Sequence, residues 1–119
     1  MIKINNVSKT YKSTKGNECS ALKGINLALN DTGMVFIVGK SGSGKTTLLN
    51  ILGGLDNPDD GYLVIDGKST EDFNEKDYDS YRNTSAGFIF QEFNLIESLN
   101  VEENVIFSSE LLNEKTDKN

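Results

Sequence analysis

The chain contains no histidine and no tryptophan, and it has one cysteine, Cys19, one proline, Pro58, and one arginine, Arg82. The lack of histidine excludes catalysis by an imidazole base and histidine-ligated metal sites. One cysteine cannot form an internal disulfide, which is typical of proteins from a reducing compartment. Any chemistry must therefore come from carboxylates, hydroxyls, amides, lysines or the backbone itself.

Long apolar runs are also missing. No apolar segment approaches the ~20 residues that a membrane-spanning helix needs, and Met1–Asn5 lacks the apolar core of a signal peptide. The net charge of -6 opposes an extended nucleic-acid surface, because nothing would compensate the repulsion of the phosphates. We therefore expect a soluble chain without a nucleic-acid partner, linked to a membrane only through another protein or through a segment that this sequence does not contain.

The first 68 residues contain alternating segments that predict an antiparallel sheet. Apolar Ile2 and Ile4 alternate with polar neighbours, as do Ile25, Leu27 and Leu29, so each strand should have one buried and one wet face. The turn-forming residues 13–17 are predicted to join these strands as a hairpin. Tyr62–Ile65 is predicted as a further strand.

Two other segments are continuously apolar. Met34–Val38 is predicted as a central parallel strand, because burial on both faces favours an uninterrupted apolar run. Gly87–Phe90 is predicted as another strand, which leads into Gln91. Between them, Thr46–Leu52 is predicted as a buried helix that ends at the glycine pair 53–54. Together with the antiparallel strands, these elements predict an α/β fold.

A glycine-rich loop lies between Met34–Val38 and the predicted helix. Its sequence is Gly39-Lys40-Ser41-Gly42-Ser43-Gly44-Lys45-Thr46. Glycines allow backbone N–H groups to approach phosphate oxygens closely, and the amides from Ser41 onward, including that of Ser43, should form a concave nest at the helix N-terminus. Strand, loop and helix follow one another in the order that a phosphate-binding loop requires.

This loop indicates a site for Mg-ATP. Lys45 is expected to reach the β- and γ-phosphates, the Thr46 hydroxyl to bind Mg²⁺, and Thr47 to donate to an α-phosphate oxygen. The same loop occurs in ATPases, GTPases and small-molecule kinases. The sequence contains no Asn-Lys-x-Asp guanine motif and only one arginine, so it lacks the features expected of a GTPase and of an arginine-rich kinase lid.

Further segments separate these classes by their order and spacing. They are Val7–Tyr11, Ala21–Leu27, Leu48–Asp56, Gly61–Lys68, Gly87–Ile96 and Glu103–Val105. With the loop, they resemble the nucleotide-binding domain of ABC transporters. The resemblance extends from residue 1 to about residue 107, and it is strongest to bacterial subunits of the lipoprotein-release, macrolide-export and peptide-export type.

The resemblance implies roles for residues outside the loop. Tyr11 matches the aromatic residue that stacks on adenine, although a strand tyrosine that packs on its neighbours would have the same pattern. Gln91 matches a glutamine that contacts Mg²⁺ and the attacking water, and a polar strand end is the alternative. Residues 91–96 match the region that contacts the membrane permease, and loop packing is the alternative for residues 93–96.

The resemblance also implies a division of the chain and a truncated P-loop NTPase with a partial RecA-like core. Residues 1–30 and 61–68 correspond to the antiparallel subdomain, 34–56 and 86–92 to the ATP-binding core, and 93–119 to the start of the helical subdomain. The family's signature motif, the acidic strand that ends in Asp-Glu and the switch histidine do not occur in the sequence. We therefore expect an N-terminal fragment that ends soon after Gln91.

The function that the resemblance implies is an energy-coupling ATPase. Two such domains would enclose ATP between them and drive a permease from the cytoplasmic face of the membrane. The isolated fragment is expected to bind ATP without hydrolysing it, so a non-hydrolysing nucleotide-binding module is the competing hypothesis. The transported substrate is not predicted, because the permease selects it.

Overall fold

A computed structural model describes residues 1–13, 16–92 and 94–107. The chain divides into two compact units, residues 1–86 and residues from 87 onward, and each is described by itself. The first unit contains an antiparallel sheet with the strand order β2-β1-β3-β4. The strands are β1 (Ile2–Lys12), β2 (Glu18–Leu29), β3 (Asp60–Ile65) and β4 (Lys68–Ser69).

The predicted hairpin is present. Lys12 pairs with Glu18, so the turn lies between β1 and β2 as the turn residues indicate. The alternation of β1 is interrupted by an irregularity between Ile4 and Val7, which places both side chains in the core. Beside this irregularity, Gly61 of β3 lies so close to β1 that a Cβ on Gly61 would be 2.4 Å from the carbonyl oxygen of Asn5. Only glycine allows this close approach of β3.

Two helices pack with the sheet in the first unit, α1 (Lys45–Leu52) and α2 (Glu75–Thr84), and a short 3-10 helix spans Thr70–Asp72. The core of the unit consists of side chains from β1, β2, β3, α1 and α2. They are Ile4, Val7, Leu22, Leu48, Ile51, Leu63, Ile65 and Tyr81. The helix prediction for Thr46–Leu52 is confirmed, but its complete burial is wrong, since Leu49 remains 50% exposed.

α2 holds the C-terminal end of α1. It begins with a capping box between Asn74 and Asp77, which satisfies its first amides. From its far end, the Tyr81 hydroxyl donates to the Leu52 carbonyl oxygen at 2.7 Å, and Arg82 donates to the Gly54 carbonyl oxygen at 2.6 Å. Burial raises the pKa of Tyr81, so its hydroxyl stays protonated and able to donate. These contacts satisfy carbonyls that a helix end would otherwise leave without partners.

The strand predictions for Met34–Val38 and Gly87–Phe90 are wrong. Neither segment belongs to a strand in the part of the chain that the structure describes. Phe36 and Val38 are 78% and 86% exposed, although Ile37 packs against the core of the first unit. The apolar composition predicts a buried strand, but a strand requires neighbours for its backbone hydrogen bonds, and no described strand runs beside these segments.

The second unit contains a helix over residues 101–107. Its predicted capping box is confirmed, because Asn100 N–H donates to Glu103 at 2.7 Å and Glu103 N–H donates back to Asn100 at 3.0 Å. Asn104 lies one turn further along. Its side chain accepts from Ile96 N–H at 2.8 Å and donates to the carbonyl oxygens of Ile96 and Leu99. This one amide therefore attaches the preceding loop to the helix.

Candidate functional site

The glycine-rich loop ends where α1 begins. Gly44 is the N-cap of the helix and adopts a left-handed φ of 89°. A Cβ on Gly44 would lie 2.4 Å from the carbonyl oxygen of Ala21 in β2, and 3.1 Å from Leu22. The loop therefore meets the sheet at a position that only glycine can occupy, and β2 determines where the helix starts.

Lys45 crosses the loop to its first residues. The Lys45 ammonium donates to the carbonyl oxygens of Gly39 at 2.9 Å and Lys40 at 2.7 Å. The Ser43 N–H also donates to the Lys40 carbonyl oxygen, at 3.2 Å. The side chain and the loop backbone thus form a closed ring, with the Lys45 ammonium as its cation. A phosphate oxygen would offer this ammonium a charged acceptor and a stronger hydrogen bond than a carbonyl does.

The helix α1 begins at Lys45, directly after the loop. No side chain caps its first amides, and the first turn of the helix contains no acidic residue. The first amides of a helix need acceptors, and together they attract an anion. Gly42 lies nearby with a φ of 76°, and a Cβ on it would meet nothing within 4 Å. The loop thus combines backbone donors, the Lys45 ammonium and open space beside its central glycine.

The two threonines at the helix start have different surroundings. Thr46 is exposed, whereas Thr47 is 9% exposed and counts among the buried polar residues. The described residues contain no group of three or more histidine, cysteine or acidic side chains placed to bind a metal. Mg²⁺ in proteins is commonly held by one or two protein oxygens together with phosphate oxygens and water, and the exposed Thr46 hydroxyl is one oxygen at the start of α1.

Tyr11 lies on β1 and pairs with Cys19 of β2, two residues before the strand segment that Gly44 contacts. Its hydroxyl donates to Asp56 Oδ2 at 2.8 Å, and its side chain is 40% exposed. The ammonium of Lys9 lies over the ring, 5.6 Å from the ring centroid. Tyr11 thus presents an aromatic surface in the same unit as the loop, with both its hydroxyl and one ring face engaged.

The Asp56 carboxylate, which accepts from the Tyr11 hydroxyl, belongs to a cluster that the sequence patterns did not predict. Lys9 donates to Asp56 at 2.8 Å and to the Asn57 carbonyl oxygen at 2.6 Å, and it pairs with Asp59 at 3.4 Å. Burial acts to raise the pKa of Asp56, but the hydrogen bonds from Lys9, Tyr11 and Asn57 outweigh it and hold this pKa below its usual range. The hydrogen bond to Asp56 raises the pKa of Lys9. The ion pair is therefore fully charged at neutral pH.

Residues 22–119 match the ABC transporter family. This match covers most of the chain. The chain belongs to the ABC transporter family. The family resemblance and the mixed α/β fold with an antiparallel sheet, both expected from the sequence, are confirmed.

Curated relatives of this ABC family chain include ATP-binding subunits. It is 45% identical over 106 residues to the lipoprotein-releasing system ATP-binding protein LolD 1 of Rhodopirellula baltica, covering 89% of this chain and 46% of the relative. It is 47% identical over 106 residues to an uncharacterised ABC transporter ATP-binding protein of Methanocaldococcus jannaschii, MJ0796, covering 88% of this chain and 44% of the relative. The chain thus spans less than half the length of these relatives.

The solved structures of MJ0796 have the same fold as this ABC family chain. One is a dimer in a post-hydrolysis state bound to ADP and Pi. It is similar to this chain with a TM-score of 0.82 and 44% identity, over 91% of this chain and 46% of that one. The described part of the ABC family chain has no helix that is both long and apolar enough to cross a membrane.

The remaining predicted residues lie in the second unit of the ABC family chain. Gln91 and Leu95 are exposed there, and Ile96 is held by Asn104 as described above. Phe93 and residues 108–119 lie outside the described residues. The loop residues and Tyr11 therefore share one unit, whereas Gln91 belongs to the other.

Proposed function

We propose that this chain is the Mg-ATP-binding part of an ABC transporter ATPase subunit that powers export or extrusion across the cytoplasmic membrane. The observation that carries the proposal is the closed ring of Lys45 and the loop carbonyls at the start of a helix whose first amides have no side-chain cap. This arrangement offers a cation and several N–H donors to one anion. The family match and the ATP-binding relatives support ATP as that anion.

Each loop residue has a distinct proposed role. Lys45 releases the Gly39 and Lys40 carbonyls and donates to the β- and γ-phosphate oxygens, because a charged acceptor replaces two neutral ones. The backbone amides of Ser41 through Thr47 surround the phosphates. Gly42 leaves room for their approach, and Gly44 turns the backbone into the helix.

The Thr46 hydroxyl and Gln91 are the proposed protein contacts of Mg²⁺. A bound magnesium ion would bridge phosphate oxygens and neutralise part of their charge. Thr46 is exposed at the start of α1 and is free to turn its hydroxyl toward the phosphates. Gln91 would orient the attacking water in the assembled enzyme. Tyr11 supplies the surface on which the adenine ring stacks.

The proposed partners are a second ATP-binding domain and a permease. The relatives support this, since they include a dimeric ATP-binding cassette and the macrolide export ATP-binding/permease protein MacB of Campylobacter fetus. Residues 91–96, with exposed Gln91 and Leu95, are the proposed permease contact. The chain would then act in the cytoplasm at the inner face of the cell membrane, with the permease as its only link to the membrane.

A thermal-shift titration with Mg-ATP tests the phosphate site. ATP at ~100 times its Kd should stabilise the wild-type chain by ~2.7 kcal/mol, and Lys45→Ala should abolish this gain. Lys40→Ala is the matched control, because it removes an exposed lysine of the same loop while keeping the carbonyl that Lys45 contacts. Equal stabilisation of wild type and Lys45→Ala by ATP would contradict the proposal.

Phosphate release separates the ATPase from the competing non-hydrolysing module. We expect the 119-residue chain to bind Mg-ATP without turnover above the uncatalysed rate. Hydrolysis needs a group that positions or deprotonates water, and Gln91 is the only such residue that the resemblance supplies here. Turnover that disappears in Lys45→Ala would show instead that the chain is a complete catalyst.

A further inference from the structure

The turn after α1 holds Asp56 in one place through its backbone. The N–H groups of Leu55 and Asp56 both donate to the carbonyl oxygen of Asn50 in the last part of the helix, at 2.8 and 3.3 Å. α2 holds the same turn from the other side, through the hydrogen bond from Arg82 to Gly54. Hydrogen bonds to the C-terminal end of α1 therefore fix the position of Asp56.

Both carboxylate oxygens of Asp56 are committed to specific donors. Oδ1 accepts from the Lys9 ammonium and from the Asn57 N–H, each at 2.8 Å, and Oδ2 accepts from the Tyr11 hydroxyl at 2.8 Å. A carboxylate with donors on both oxygens has one preferred orientation. Charge-assisted hydrogen bonds of this kind are also stronger than neutral ones.

This arrangement fixes the Tyr11 ring at two points. The hydroxyl is held by Asp56, and the Lys9 ammonium lies over the ring at 5.6 Å from its centroid. Lys9 and Tyr11 are two residues apart on β1, so their side chains share one face of the strand. A base would then stack on the ring face that Lys9 does not cover.

The same cluster connects Tyr11 with the phosphate loop by two routes. Along the sheet, Tyr11 pairs with Cys19 of β2, and the carbonyl of Ala21 on that strand contacts Gly44. Through the helix, α1 runs from Lys45 to the turn that holds Asp56, a length of about 12 Å at 1.5 Å per residue. The ring is thus held at a set distance from the loop, which suits a ligand with a base at one end and phosphates at the other.

We propose that Asp56 is a positioning residue for nucleotide binding, which together with Lys9 orients the Tyr11 ring for stacking on the base. The inference rests on the proposed function, since it needs a nucleotide on the loop. Asp56 itself contacts neither base nor phosphate. It acts by removing the freedom of the ring before the ligand arrives, so that less conformational entropy is lost on binding.

Calorimetry with two ligands tests this role. Mg-ATP has a base, whereas inorganic tripolyphosphate with Mg²⁺ presents the phosphates alone. Asp56→Ala should weaken ATP binding about three- to tenfold, a part of the roughly 5- to 150-fold that a stacked base contributes, and should leave the Kd for tripolyphosphate unchanged. Asp56→Asn should recover part of the ATP affinity, because its amide oxygen still accepts from Tyr11.

Asp59→Asn is the matched control. Asp59 belongs to the same turn and also pairs with Lys9, but its carboxylate accepts from the Thr10 N–H at 2.6 Å, whereas the Tyr11 hydroxyl donates to Asp56. An asparagine keeps an acceptor for that N–H. The ratio of the two dissociation constants should therefore remain at the wild-type value in Asp59→Asn.

A variant of Tyr11 keeps the test decisive if Asp56→Ala fails to fold. Tyr11→Phe retains the ring and removes only the hydroxyl that Asp56 accepts, so ATP binding should weaken less than in Tyr11→Ala. In the Tyr11→Phe background, Asp56→Asn should have a smaller effect than in wild type. Parallel losses for ATP and tripolyphosphate, or no change in either variant, would overturn the positioning role.

The outcomes also separate this inference from the proposed function. If Lys45→Ala abolishes tripolyphosphate binding while Asp56 and Tyr11 variants keep the wild-type ratio, the phosphate site stands and the positioning role is wrong. If wild type binds neither ligand, both proposals are wrong.

Discussion

Gly44 contacts Ala21 so closely that a Cβ on Gly44 would lie 2.4 Å from the Ala21 carbonyl oxygen. Because the Ala21 carbonyl belongs to the backbone of β2, no side chain can move aside to make room. The phosphate loop, the start of α1 and the sheet therefore meet at one glycine, which also has a left-handed φ of 89°.

Gly44→Ala should destabilise the chain and remove nucleotide binding. The left-handed conformation alone costs an alanine about 1–2 kcal/mol, and the clash with Ala21 adds to this cost. Chemical denaturation with and without Mg-ATP measures both effects. Gly67→Ala is the control, because Gly67 has a similar φ of 85° but nothing within 4 Å of an added Cβ. Equal losses of stability in the two variants would show that the contact with Ala21 contributes nothing.

We expect the free energy of unfolding to depend on pH through the Asp56 carboxylate. Its pKa in the folded chain lies below the usual 3.8, so the folded state favours the ionised form and gains stability above pH 3.8. This gain should disappear as the pH falls through the folded pKa. The difference in unfolding free energy between wild type and Asp56→Asn should therefore be largest near neutral pH and shrink below pH 3.8. A constant difference from neutral pH to pH 3 would contradict this account.

Asn104 predicts a local effect in the second unit. Asn104→Ala removes the acceptor of the Ile96 N–H and the donor to the Ile96 and Leu99 carbonyls, so the Ile96 amide should exchange with solvent faster. Hydrogen exchange resolved by residue measures this change. Asn104→Asp should restore slow exchange only at Ile96, since a carboxylate accepts but does not donate. Unchanged exchange at Ile96 in Asn104→Ala would show that the loop does not depend on this side chain.

The exposed apolar segment Met34–Val38 predicts self-association. Backbone groups outside any strand and apolar side chains such as Val35, which is 61% exposed, favour pairing with another chain. Val35→Lys should reduce association, because a charge opposes this pairing. Light scattering after size-exclusion chromatography gives the mass. Leu49→Lys makes the same charge change on α1 and should leave association unchanged, and an equal reduction by both would indicate a general charge effect.

Sequence patterns predict the parts of this fold that depend on residues close together along the chain. The hairpin between β1 and β2, helix α1 and the capping box of Asn100 and Glu103 all follow from local spacing, and all are present. Met34–Val38 was mispredicted, because an apolar run indicates burial without identifying the strand that would cover it. Backbone hydrogen bonds depend on that partner, which lies elsewhere in the fold.

The candidate site shows the same division. The phosphate loop is recognisable because its glycines and Lys45 lie in one continuous segment. Their spacing follows from the need of backbone N–H groups and an ammonium to approach the same phosphates. The contact of Asp56 with Tyr11 was missed, since 45 positions separate the two residues and only the fold joins them. The common face of Lys9 and Tyr11 on β1 was the only local sign of this cluster.

The sheet of the first unit has a consequence for synthesis on the ribosome. All its strands lie between Ile2 and Ser69, and the phosphate loop lies, together with α1, in the connection between β2 and β3. A ribosome adds roughly 5–20 residues per second, whereas a β-hairpin forms in about 1–10 μs. The hairpin of β1 and β2, which leads into the phosphate loop, therefore has time to close while later residues are still being added to the polypeptide.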